Sequence, residues 1–121
     1  MTKSVADLAT DVLGVRLGLI DINKSPTAAQ QARVTSLYNT KYAELSLVDK
    51  AYWPSAEIPD LVFGALSRII AEEIAPGLGM AAPTEPDDDG QLVSMGTKGW
   101  RLLNRLLERE RTGVPTQATY F

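Results

Sequence analysis

Apolar residues recur along most of this chain at intervals of three and four, the spacing that aligns one face of an α-helix. The clearest instance follows Pro59, where Leu61, Val62, Ala65, Leu66, Ile69, Ile70 and Ile74 repeat over about four turns. Asp60 falls in the first turn, where a carboxylate complements the helix dipole, and Pro76-Gly77 marks the stop. This segment is apolar on nearly two faces, which predicts the central core helix. A second helix is predicted from Ser25-Pro26, a cap followed by the residue best tolerated at the first helical position, to about Leu45. Val34, Leu37, Tyr38, Tyr42 and Leu45 keep helical spacing there, while Arg33, Ser36, Asn39 and Thr40 cover other faces, the pattern of an amphipathic helix. A shorter helix is predicted from about Val5 to Leu13, with Ser4 as N-cap, Asp7 in the first turn, Leu8, Val12 and Leu13 on one face, and Gly14 as its end.

Elsewhere the pattern is less regular. Tyr52-Trp53-Pro54 interrupts it between Ser46 and Ile58, because proline disfavours helix at the preceding residue, and a connector is expected. Leu78 to Asp89 reads as a solvated loop, with Asp87, Asp88 and Asp89 expected in the first turn of a fourth helix. That helix covers at least Lys98 to Arg109, and a start near Asp88 places Leu92, Met95, Gly96, Gly99, Leu103 and Leu106 on one face. Its glycines would admit close approach of another helix, at about 1 kcal/mol each in propensity relative to alanine. Strand-like alternation is weak. Gly18-Leu19-Ile20-Asp21-Ile22 is a brief candidate with no expected pairing partner. The expected class is therefore all-α: a small bundle of about four helices over residues 1–111, with an extended C-terminal arm at 112–121.

A length of 121 residues suits one domain with a modest core. Cysteine and histidine are both absent, which removes disulfides, thiolate nucleophiles, the common triads, zinc sites and the usual neutral-pH acid–base group. No catalytic residue, cofactor or metal ligand is assigned, and an enzyme is not expected. Asp87-Asp88-Asp89 lacks the spaced ligands of a calcium loop. Glu57 with Asp60, and Glu72 with Glu73, are the other carboxylate groupings that a glycosidase pair would need, but such groupings are common in any acidic chain. Gly77-Leu78-Gly79 lacks the rest of a nucleotide fingerprint. A net charge of -3 gives no general attraction to nucleic acid or to an anionic membrane, so protein partners are expected. The first residues lack the basic start and apolar run of a signal peptide, and no stretch reaches the length of a membrane span, so synthesis in the cytoplasm is expected.

Two features invite a partner. Arg101, Arg105 and Arg109 lie at four-residue intervals with Lys98 near their start, forming a stripe that reads as a solvated face, as a contact for carboxylates of a neighbouring subunit, or as a phosphate contact. Gly113 to Phe121 has no helical period yet ends on two aromatics, which fits either docking on a partner or pinning onto its own domain. Tyr52, Trp53 and Trp100 are expected to pack in core or interface.

The run Leu8-Ala9-Thr10-Asp11-Val12-Leu13-Gly14, the long helix ending near Tyr38 to Leu45, the connector Tyr52-Trp53-Pro54 with Glu57-Ile58-Pro59-Asp60, the apolar helix and the aromatic-ended arm together resemble, in layout, the head-to-tail adaptor proteins of tailed bacteriophages. These are also called head-completion or packaged-DNA-stabilising proteins. The resemblance implies a helical-bundle subunit of a homo-oligomeric ring, usually a dodecamer, that docks beneath the portal protein once DNA is packaged. Such a ring helps retain the DNA, passes it through a channel without sequence-specific binding, and gives the tail or tail-hub protein its attachment surface at the head–tail junction of the virion. By position, the resemblance makes Trp100, Arg101, Arg105, Arg109, Pro115, Tyr120 and Phe121 the candidates for contact with the portal or a neighbouring subunit. Two alternatives stay open: a small helical DNA-binding or regulatory protein, and a tail-associated peptidoglycan-cleaving protein, since some short-tailed-phage relatives are linked to that activity.

Overall fold

A computed structural model describes the chain except for Met1, residues 21–23, Asp49, Tyr120 and Phe121, with side chains described as far as Glu108. Helix α1 (Val5–Thr10) opens at Ser4, whose hydroxyl accepts the Asp7 N–H at 3.1 Å while the Asp7 carboxylate accepts the Ser4 N–H at 3.0 Å. This reciprocal cap satisfies two N–H groups that the helix itself leaves unpaired. The bond from the Ser4 backbone, followed by that from its hydroxyl, holds the Asp7 carboxyl below the ordinary aspartate pKa. Gly14 does not end the run: the chain continues through a wider π-helical turn, Asp11–Arg16. That turn brings Asp11 and Arg16, 3.4 Å apart, to the fully buried Ser67, which donates to the Asp11 carboxylate and accepts from Arg16 Nε at 3.3 Å. A buried hydroxyl is thereby satisfied, as burial requires.

Helix α2 (Ala28–Leu47) begins two residues later than Pro26 suggests, because Thr27 and Gln30 form the cap, exchanging bonds of 2.9 and 3.2 Å. Helix α3 (Asp60–Ile74) is the core element, with Val62, Phe63, Ala65, Leu66, Ile69, Ile70, Ala71 and Ile74 buried; Leu61 is exposed. Each large apolar side chain buried this way contributes roughly 1.5–3 kcal/mol. Pro76 tightens the end of α3 into a 3₁₀ turn, Ala75–Leu78.

The chain is not all-α. Strand β1 (Thr2–Lys3) pairs antiparallel with β2 (Ile58–Pro59), and β3 (Thr84–Pro86) pairs antiparallel with β4 (Leu92–Ser94) in the register Thr84–Ser94, Glu85–Val93, Pro86–Leu92. Strands of two and three residues are too short to show the alternation by which strands are read. The β3–β4 turn also corrects the placing of Asp87, Asp88 and Asp89 in the first turn of a helix. Asp87 Oδ1 accepts the N–H groups of Asp89 and Gln91, both at 2.9 Å, and Gly90 takes a φ of 83°, the left-handed conformation that Asp-Gly hairpin turns demand.

Helix α4 (Met95–Thr119) therefore starts after the hairpin, and Leu92 lies exposed on β4 instead of on a helix face. Ser94 Oγ accepts the Thr97 N–H at 3.1 Å, and the Glu72 carboxylate from α3 accepts the Gly96 N–H at 3.2 Å. The helical backbone runs to Thr119, which corrects the extended arm expected over 112–121. Helices α3 and α4 cross at Gly99. A Cβ there would lie 2.7 Å from the Ala65 carbonyl oxygen and 2.9 Å from Ile69 Cγ1, closer than packed atoms come, so only glycine permits this approach.

The connector closes the other side. Tyr38 donates from its hydroxyl to the Ser55 carbonyl at 2.7 Å and accepts the Trp53 Nε1–H at 3.1 Å, while Tyr42 donates to the Trp53 carbonyl. Tyr42 and Tyr52 both meet the Trp53 ring edge-on, at 5.9 and 5.2 Å between centroids. Burial raises the Tyr38 pKa above the ordinary tyrosine value, against the lowering influence of the Trp53 bond.

Candidate functional site

The acidic residues divide by helix geometry. Consecutive positions on a helix point about 100° apart, so Glu72 and Glu73 serve different neighbours. Glu72 caps α4, and Glu73 pairs with Lys41 of α2 at 2.9 Å. Burial alone would lower the Lys41 pKa, but the hydrogen bond and charge of Glu73, joined by Glu44, raise it overall. Among the described residues, no group of three or more acidic side chains could hold a metal ion, and no helix is long and apolar enough to cross a membrane.

Of the partner-contact candidates, Trp100 is half-buried against the core, with Lys41 Nζ 5.8 Å from its ring centroid. It joins α4 to α2 within the chain. Arg101 and Arg105 are exposed and share one face of α4 with Lys98. The structure brings them to the Asp87–Asp89 turn: Arg105 lies 3.9 Å from Asp88, and Lys98 donates to the Pro86 carbonyl at 3.0 Å. The side chains of Arg109 and Pro115, and all of Tyr120 and Phe121, lie outside the described residues.

The surface that sequence reading passed over is the outer side of α2. This helix carries three charged residues, and all are engaged within the chain: Arg33 donates to the Gly77 carbonyl at 3.2 Å, and Lys41 pairs with Glu73 and with Glu44 at 3.5 Å. Opposite the buried Val34, Tyr38 and Leu45 lies an uncharged side formed by Ala28, Ala32, Thr35, Ser36, Asn39, Thr40, Ala43 and Leu47. Gln31, with Ala28, Ala32, Thr35, Ser36, Asn39 and Thr40, forms an open surface along the first half of this side. The second half ends on Leu47 and Val48, which are 85% and 58% exposed.

No family model, curated protein or solved structure matches the chain.

A solvated helix face ordinarily carries charge. The signal on α2 was present in the sequence as a stretch from Ser25 to Thr40 with Arg33 as its one charge. The hairpin also had a signal, since Asp89-Gly90 is the dipeptide that such turns favour.

Proposed function

We propose that this chain is a structural assembly subunit, a head-to-tail adaptor of the tailed-bacteriophage kind, which packs against copies of itself in a ring and docks on a portal protein. The observation that carries this reading is the uncharged outer side of α2, ending on exposed Leu47 and Val48. A face of small and uncharged residues costs little to desolvate and lets another helix approach closely, which suits a surface that is covered in an assembly. Helix α4 then carries the portal contact, through Arg101 and Arg105 and the C-terminal residues from Gly113 onward. The three aspartates beside those arginines speak against a DNA-binding role, because they oppose a polyphosphate where the cations would attract it.

The test is the mass of the full chain in solution, alone and mixed with a portal protein. A ring-forming subunit gives complexes of several copies on the portal, and Ala32→Glu combined with Ser36→Glu removes them while leaving the melting temperature unchanged. A chain that stays monomeric in both conditions, or a double variant that assembles like wild type, overturns the proposal.

A further inference from the structure

Two patches of opposite charge face each other on this surface without fully pairing. The Asp87–Asp89 turn and the Lys98, Arg101 and Arg105 side chains line a cleft of about 120 Å³, room for about four water molecules. One ion pair crosses it, Arg105 to Asp88 at 3.9 Å, with those side chains 65% and 85% exposed. Exposed pairs contribute little, and at that distance the carboxylate does not reach the two-pronged geometry that a guanidinium favours. Among the described residues Arg101 makes no ion pair. Asp87 is occupied by the N–H groups of its own turn.

The hairpin base, by contrast, is held firmly. Met95 N–H donates to the Pro83 carbonyl at 3.0 Å, Lys98 to Pro86 at 3.0 Å, and Arg68 pairs with Glu85. The exposed Asp88 side chain, held only by its pair with Arg105 among the described residues, can therefore be displaced while the hairpin stays in place.

We propose that Arg101 and Arg105 bind a carboxylate-rich segment of a partner protein, and that Asp88 is a built-in competitor which that segment displaces. The inference rests on reading α4 as the partner-facing helix. The occupant's chemistry follows from the cleft. A short acidic segment replaces one weak carboxylate contact with two stronger ones. A duplex presents charge continuously, about one per 1.7 Å of its length, whereas a short acidic segment can set two carboxylates on the arginines and bring few other charges near the aspartates.

The experiment titrates a labelled hexaglutamate peptide against the full chain at low salt, with a short DNA duplex as the second probe. Asp88→Asn should tighten peptide binding about threefold, and Asp88→Asn with Asp89→Asn about tenfold. Arg101→Gln with Arg105→Gln should abolish binding on either background, with melting temperatures unchanged throughout. Unchanged affinity in the aspartate variants, retained binding in the arginine variant, or tighter binding of the duplex than of the peptide overturns the inference. Its failure is distinct from failure of the adaptor reading, because the peptide titration needs no portal. A portal complex indifferent to Asp88→Asn sinks the competitor alone, whereas peptide binding gated by Asp88 in a chain that never joins a portal sinks the adaptor alone.

Discussion

Helices α2 and α3 lie in contact but answer to different constraints. Helix α3 is enclosed on nearly every side, and its one fully buried polar side chain, Ser67, is bonded to Asp11 and Arg16. Helix α2 buries Val34, Tyr38 and Leu45 along one line and turns an uncharged side outward. The identity of α3 is thus dictated by packing within this chain, whereas the outer side of α2 is exposed, and packing within the chain does not explain its lack of charge.

The sharpest way to break that contrast is inside α3. Ile69→Asp would bury an unpaired carboxylate in apolar surroundings and should abolish cooperative thermal unfolding, read by circular dichroism. A variant that melts like wild type would mean α3 is not the core. Next in size is Gly99→Val at the α3–α4 crossing. The added side chain meets the Ala65 carbonyl and Ile69 and should cost about 3 kcal/mol in chemical denaturation, with strain of the kind that overpacking produces.

On the inner side of α2, Tyr38→Phe leaves the Ser55 carbonyl and the Trp53 N–H without their shared partner and should cost about 1–3 kcal/mol. The same hydroxyl sets an alkaline limit. Its pKa is raised in the folded chain, so its stabilising contribution is complete below the unfolded tyrosine pKa of about 10 and is lost as pH rises through the higher folded value. Denaturation curves should weaken above about pH 10 in wild type, and less so in Tyr38→Phe, if Tyr38 carries this effect. On the outer side of α2, Ala32→Glu with Ser36→Glu should change the stability of the isolated chain by no more than about 0.5 kcal/mol per site. A larger loss would show that this side is packed within the chain.

How legible the fold was depended on the length of the signal. Helix α3 spans enough turns for its period to stand out, and Ser4 with Asp7 gave the start of α1 through short-range chemistry. The β1–β2 and β3–β4 pairs were missed because pairing between distant residues leaves no local periodicity, and because three consecutive aspartates suit a helix start as well as a turn until the bonds to Asp87 are seen. Gly14 was misread for a related reason. Its expected role as a stop is overridden by the half-buried Asp11–Ser67–Arg16 bonding, a tertiary effect. Of the candidate contacts, the arginine spacing on α4 placed Arg101 and Arg105 together on one face, but nothing in that spacing showed that the chain's own aspartates stand opposite them.

The pairing of β1 with β2 also orders events in time. Thr2 and Lys3 precede α1 and α2 in the chain, yet their partners Pro59 and Ile58, and the Phe63 ring whose centroid lies 5.5 Å from Lys3 Nζ, follow both helices. Contacts of such long sequence separation slow folding, because the intervening chain must be gathered before they form. Their equilibrium cost grows slowly with loop length, by about 0.6 kcal/mol for each doubling. Lengthening the connection between α1 and α2 should therefore delay closure of the fold far more than it weakens the closed state, and β1 should be among the last elements to find its place.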